Sequence, residues 1–133
     1  MKITFFLITT LALAGAASAQ TATTLSDKQI NALKTVKIKT EKASAPYAAK
    51  LAVTVKKIYD NMLSGHEDQR LRKTLAGRLH LYAGELLDLR GQAYRDAIGV
   101  LTPDQRQTIR EALKKPDAPQ DIGELIEKTF SIK

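Results

Sequence analysis

The stretch of residues 67–101, EDQRLRKTLAGRLHLYAGELLDLRGQAYRDAIGVL, decides the fold class of this chain. Its apolar residues recur in steps of three and four, which is the period of an α-helix and not the alternation of a strand. The recurring residues are Leu71, Leu75, Leu79, Tyr82, Leu86, Leu89, Ala93 and Ala97. The stretch therefore predicts one long helix, roughly 50 Å in length, whose inner face packs on an antiparallel neighbour.

The opposite, outer face of this stretch carries three glycines spaced seven residues apart, Gly77, Gly84 and Gly91. Each glycine inside a helix costs roughly 1 kcal/mol relative to alanine. A heptad row of them predicts a face that another backbone approaches closely, from a partner helix, a second copy of the chain or a ligand. The alternative is that the helix breaks into shorter pieces at the glycines.

The flanking sequence is helical as well. Residues 27–45 and 47–64 have helical apolar spacing, and Pro46 either kinks one helix or separates two. Residues 102–115 and 121–132 predict two shorter helices. The predicted fold class is all-α: an antiparallel helical hairpin of four to five helices with one long central helix, residues 67–101, as the longest element.

Composition adds the domain organisation. The chain has 133 residues, 44% of them hydrophobic and 26% charged, which suits one small folded domain. Residues 1–19 combine Lys2, an apolar run and the sequence Ala17-Ser18-Ala19, the pattern of a cleavable signal peptide. A membrane anchor is the alternative, but the apolar run is shorter than the ~20 residues that span a bilayer. We expect export to the periplasm, a helical domain over residues 20–115 and a short amphipathic helix within 116–133.

The net charge of +7 is concentrated in one part of the chain. Residues 27–57 contain eight lysines and two acidic residues, whereas residues 58–133 contain twelve basic and twelve acidic residues. Lysine is a mobile point charge that suits diffuse contact with acidic surfaces. The candidate binding residues are Lys34, Lys37, Lys39, Lys42, Lys50, Lys56 and Lys57. Their partners would be acidic or unfolded proteins or an anionic membrane, and export argues against nucleic acid; the alternative is a solvated helix face.

Residues able to carry chemistry are few. The chain has no cysteine, which excludes disulfides and thiolate metal sites, and it has only two histidines. No catalytic motif is present, so we expect neither an enzyme nor a cofactor. His66, with Met62, Glu67 and Asp68 nearby in sequence, is a weak metal candidate, and His80 on the glycine face is expected to pack or to lie in an interface.

Two helix starts share one motif. Leu25-Ser26-Asp27-Lys28-Gln29 opens the first helix, and Leu101-Thr102-Pro103-Asp104-Gln105 opens the fourth predicted segment. A hydroxyl residue followed three positions later by glutamine is a capping box, in which each side chain bonds the other residue's backbone N–H. The six residues given a structural role are Leu25, Ser26, Gln29, Leu101, Thr102 and Gln105.

A pair of such Leu-Thr/Ser-x-x-Gln motifs in a basic, cysteine-free helical chain with a signal peptide resembles the Spy/CpxP family of periplasmic LTxxQ-motif proteins. The resemblance covers about residues 25–115, although the first motif has Ser for Thr and the two motifs lie 76 positions apart. It implies a curved homodimer of helical hairpins that acts as an ATP-independent chaperone for unfolded or stress-damaged envelope proteins. Two alternatives remain: a regulatory or metal-responsive accessory of an envelope stress system, or a helical protein of anionic membrane surfaces.

Overall fold

The computed structural model describes residues 24–132, which form four helices and contain no strand. The helices are α1, Asp27–Leu63; α2, Gln69–Val100; α3, Pro103–Leu113; and α4, Ile122–Thr129. The prediction of an all-α chain with long helices in hairpin packing is confirmed. The predicted signal peptide, residues 1–19, lies outside the described residues.

Helix α1 continues through Pro46, so the single-helix alternative is correct. Proline has no N–H to donate and disfavours a helical conformation in the residue before it. The half-buried positions Ser44, Tyr47 and Leu51 nevertheless keep helical steps of three and four across it. At 37 residues α1 exceeds the 32 residues of α2, so the prediction that residues 67–101 form the longest helix is wrong.

Helix α2 is continuous through all three glycines of its outer face, and the broken-helix alternative does not hold. On the inner face Leu75 and Ala97 are buried and most of the other predicted residues are half-buried. Leu71 is the exception, because it lies in the first turn of the helix and is exposed. The helical period therefore identified the packed face correctly except at its N-terminal end.

The chain divides into two compact units. Unit 1 comprises residues 24–34 and 97–132, and unit 2 comprises residues 35–96. The core of unit 1 consists of Ala97, Leu101, Ile109, Leu125, Ile126 and Phe130. Because half of this core comes from α4 and the residue that caps it, the amphipathic C-terminal helix is an integral part of unit 1.

Unit 2 is a helical hairpin whose turn is tied by side chains. Gly65 has a φ of +81°, which non-glycine residues rarely adopt. Asn61 is buried, and its amide donates to the Asp68 carbonyl at 3.1 Å and accepts from the Asp68 N–H at 3.0 Å. The Asp68 carboxylate in turn accepts from the N–H groups of Arg70 and Leu71 at the start of α2. Asp68 therefore acts as the N-cap that sets where α2 begins.

Candidate functional site

Both predicted capping boxes are present in unit 1. Ser26 Oγ accepts from the Gln29 N–H at 3.1 Å, and Gln29 Oε1 accepts from the Ser26 N–H at 3.0 Å. At α3, Thr102 Oγ1 accepts from the Gln105 N–H at 3.2 Å, and Gln105 Oε1 accepts from the Thr102 N–H at 2.9 Å. Each box satisfies N–H groups that a helix start otherwise leaves without partners.

The two boxes are also bonded to each other. Gln29 Nε2 donates to Gln105 Oε1 at 2.7 Å and to the Val100 carbonyl at 3.1 Å. Gln105 Nε2 donates to the Thr24 carbonyl at 2.7 Å. Gln105 is buried, and among the described residues no buried side-chain polar atom lacks a hydrogen bond. We call this set of bonds the glutamine junction.

The sequence predicted the two boxes but not the glutamine junction between them. A signal was present, because a capping box uses only the carbonyl oxygen of its glutamine. The two N–H donors of each amide then still need acceptors if the site is buried. Leu101 is 3% exposed and Leu25 packs partly buried against the same core. All six motif residues therefore lie together and hold unit 1, which is a structural role.

An open groove of about 610 Å³ lies beside this core in unit 1. Its apolar lining includes Leu25, Ile30 and Phe130, and the charged residues Asp27 and Lys34 lie at it as well. Of the seven predicted binding lysines, Lys34 is the one in unit 1. A small groove with mixed lining can accept a short apolar segment, but it has no buried polar group that would select one ligand.

The six remaining candidate lysines lie on the part of α1 that belongs to unit 2, and all are exposed. Within the described part of the chain, Lys39, Lys42, Lys56 and Lys57 form no ion pair. Their ammonium groups are thus available to an external acidic partner. The concentration of charge that the sequence indicated is therefore a solvent-facing helical surface, which we call the lysine surface.

Large apolar side chains are interspersed with these lysines. Ile38 is exposed between Lys37 and Lys39 in sequence, and four residues before Lys42. Val53 is exposed three and four residues before Lys56 and Lys57. Residues three or four apart lie on the same side of a helix. The lysine surface is therefore mixed in character, with apolar side chains next to positive charge. The sequence analysis named the lysines of this surface but not Ile38 or Val53.

Lys50 differs from the other lysines. Its Nζ atom lies 5.7 Å from the centre of the Tyr47 ring and 5.8 Å from the centre of the Tyr82 ring. A cation between two aromatic rings at this distance gains a cation–π attraction. Because Tyr82 belongs to α2, Lys50 helps to hold the hairpin of unit 2 and is less free than its neighbours to meet a partner.

The glycine face of α2 has no close neighbour among residues 24–132. A methyl group at Gly77 or Gly84 would meet no other atom within 4 Å beyond the local helix backbone, and one at Gly91 would meet only the guanidinium of Arg95. His80 is exposed on the same face. The described residues therefore supply no partner helix for this face, and of the three predicted partners a second copy or a ligand remains.

The weak metal candidate at His66 is not supported by geometry. Among residues 24–132 no group of three or more His, Cys, Asp or Glu side chains could hold a metal ion. Asp68 is occupied as the N-cap of α2, and the Glu67 carboxylate lies 3.9 Å from the Arg72 guanidinium. The acidic residues beside His66 thus serve the turn and the start of α2.

Two further findings concern membrane-spanning helices and similarity to known proteins. None of the four described helices is long and apolar enough to cross a membrane. Comparison with protein-family models, with curated proteins and with solved structures finds no match.

Proposed function

We propose that this chain is a periplasmic, ATP-independent chaperone-like protein that holds unfolded or stress-damaged envelope proteins on the mixed basic and apolar surface of unit 2. The proposal joins two supports. One is the resemblance of the paired Leu-Thr/Ser-x-x-Gln motifs to the Spy/CpxP family. The other is the exposed chemistry of unit 2, which is suited to segments that carry both acidic and apolar side chains.

The observation that carries the proposal is the distribution of exposed apolar residues. Nine large hydrophobic residues are exposed in the described chain, and eight of them lie in unit 2. They are Ile38, Val53, Tyr59, Met62, Leu63, Leu71, Leu81 and Leu87. A concentration of exposed apolar side chains in one unit is expected of a surface that makes apolar contacts with other molecules. An unfolded protein presents the complementary apolar side chains that folded proteins bury.

The mechanism follows from the range of the two forces. Attraction between lysines and an acidic client acts over about 8 Å at physiological salt and therefore raises the association rate. Apolar contact acts only after the surfaces touch, and it retains the client by removing apolar area from water. Neither force requires a fixed geometry, so one surface can hold many clients. No nucleotide, cofactor or covalent step is needed.

The test is suppression of aggregation of a urea-denatured acidic protein that is diluted into buffer containing the chain. The test variant carries Lys39→Gln, Lys42→Gln, Lys56→Gln and Lys57→Gln. The control variant carries Lys73→Gln, Lys114→Gln, Lys115→Gln and Lys128→Gln, which removes the same four charges from exposed lysines elsewhere. We expect the test variant to need several-fold more protein for equal suppression, and we expect the control to behave like the original chain.

Salt provides a second arm. Raising the salt concentration should slow capture by the original chain and should have little further effect on the test variant, because screening acts on the same charges. An absence of suppression at any protein ratio would contradict the proposal. Equal losses in the two variants would show that net charge and not the lysine surface is responsible.

The proposal includes export and a homodimer. Export rests on the signal-peptide pattern of residues 1–19, and the homodimer rests on the family resemblance together with the unoccupied glycine face of α2. Fractionation of cells that express the full chain, with N-terminal sequencing of the product, tests export: a chain that retains Met1 in the cytoplasm contradicts it. Analytical ultracentrifugation over a range of concentrations tests the dimer.

A further inference from the structure

The outer face of α2 combines exposed apolar residues with open space around a glycine. Leu81 is 58% exposed and Leu87 is 66% exposed, and they lie three residues before and three residues after Gly84. The open space at Gly77 and Gly84 leaves this face bare within the described chain. The glycines carry no side chain, so another helix can approach the backbone closely between the two exposed leucines.

We propose that this face binds the same face of a second copy of the chain, with the two α2 helices antiparallel and crossing at Gly84. The inference rests on the proposed homodimer, for which it names the interface. It assigns Leu81 and Leu87 to the dimer and leaves the other six exposed apolar residues of unit 2 to clients. A face that pairs with itself about a two-fold axis must place each residue at the level of its mirror position in the sequence. The pattern around Gly84 can therefore be tested for self-complementarity.

The pattern meets that requirement for both apolar and charged residues. Leu81 of one copy comes to the level of Leu87 of the other, and Gly77 comes to the level of Gly91. His80, four residues before the centre, comes to the level of Asp88, four residues after it. An imidazole N–H can donate to a carboxylate, and the two-fold axis forms this contact twice. In this arrangement leucine lies level with leucine, glycine with glycine, and an imidazole with a carboxylate.

Two like-charge pairs oppose the arrangement, and the second limits its geometry. Arg78 and Arg90 lie six residues on either side of Gly84, but they are turned about 120° away from it around the helix. Lys73 and Arg95 lie eleven residues on either side of Gly84 and would bring like charges to the same level. Eleven residues of helix correspond to roughly 16 Å of length. Helices that cross at about 50° have diverged at that distance. We therefore expect crossed helices with a short central contact, and a parallel bundle of the two α2 helices would not suit these charges.

Because the chain has no cysteine, disulfide trapping gives a clean test. The Gly84→Cys variant is unfolded, refolded and oxidised mildly. A disulfide needs Cβ atoms within roughly 4.5 Å, a distance that helices crossing at Gly84 reach at this position. We expect the disulfide-linked dimer to form at least tenfold more than from the control variant Gly99→Cys. Gly99 is a glycine of the same helix that is also in open space.

A second measurement, the dimer dissociation constant, tests the same interface without a disulfide. Gly84→Leu should raise the dimer dissociation constant at least tenfold in ultracentrifugation, because a large side chain at the crossing point prevents close approach, whereas Gly99→Leu should leave it unchanged. A chain that dimerises while its Gly84→Cys variant forms no disulfide overturns this interface and leaves the homodimer standing. A chain that stays monomeric at every concentration overturns both, and the aggregation assay still decides on client binding separately.

Discussion

The two units of this chain distribute their apolar side chains in opposite ways. Among the described residues, unit 1 contains six of the seven buried hydrophobic residues, whereas unit 2 contains eight of the nine large hydrophobic residues that are exposed. The contrast has a geometric cause. A two-helix hairpin is a single layer and can bury only the faces that its helices turn towards each other. Unit 1 adds α3 and α4, whose apolar faces close the core.

The contrast indicates that folding stability and the proposed client binding depend on different residues. Substitutions in unit 1 should act on folding, and substitutions on the outer faces of unit 2 should act on binding with little effect on folding. Leu75 and the buried polar residues Thr54 and Asn61 are the main exceptions within unit 2. The predictions below test this separation, beginning with the largest expected effect.

Leu101→Ala should lower the free energy of unfolding by about 3 kcal/mol, because it leaves a cavity beside the unit 1 core. Leu63→Ala should change it by less than about 0.5 kcal/mol, because Leu63 is 85% exposed. Urea titration followed by circular dichroism measures both values. Equal losses in the two variants would contradict the separation between the units.

Gln105→Ala should lower the free energy of unfolding by about 2 kcal/mol, because it removes the buried amide's hydrogen bonds to Thr24, Thr102 and Gln29. Gln107→Ala on the exposed side of α3 is the control and should cost less than about 0.5 kcal/mol. A double-mutant cycle with Gln29→Ala should give a coupling of about 1 kcal/mol. Additive losses would show that the glutamine junction contributes no coupling energy.

The turn of unit 2 holds Gly65 in a backbone conformation that favours glycine. Gly65→Ala should cost about 1–2 kcal/mol, because alanine is strained at the φ of +81° found there. Gly65→Asn should cost less, because asparagine tolerates that conformation better. A methyl group at Gly65 has open space, so the cost is one of backbone conformation. Identical thermal unfolding of the alanine variant and the original chain would contradict this reading.

The smallest expected effect on stability concerns the surface of unit 2. Ile38→Gln with Val53→Gln should change the free energy of unfolding by less than about 0.5 kcal/mol, since both side chains are exposed. The same variant should suppress client aggregation less well, because apolar contact retains the client. Leu113→Gln, the exposed leucine of unit 1, is the control for the aggregation assay. A large loss of stability with unchanged suppression would reverse the roles given to the units.

Sequence reasoning recovered the features that depend on local spacing. The helical period of α2, its packed inner face and both capping boxes are properties of residues within one or two turns, and the structure contains them. Leu25 and Leu101 were identified through their motif, and both pack on the unit 1 core. The helix starts at Ser26 and Thr102 were correct for the same reason, because a cap is decided by its own few residues.

What sequence reasoning missed depends on contacts between distant residues. The bond from Gln29 to Gln105 joins positions 76 apart, and no local period indicates it. Ile38 and Val53 lie outside the apolar stripes of their segments, and nothing in the local spacing indicated that they belong to a binding surface. The length of α1 through Pro46 was left open because the cost of a proline is local, whereas the packing that offsets it extends along the whole hairpin.

The glutamine junction also has a consequence for the order of folding. Unit 1 is assembled from the two ends of the described chain, residues 24–34 and 97–132, whereas unit 2 is continuous. A chain that folds as it emerges with its N-terminus first can therefore complete the hairpin of unit 2 before residues 97–132, the partners of residues 24–34, are available. Pulsed hydrogen exchange during refolding should show early protection in residues 35–96 and late protection at Gln29 and Gln105; the reverse order would contradict this. The lysine surface of unit 2 would therefore form before unit 1 is complete.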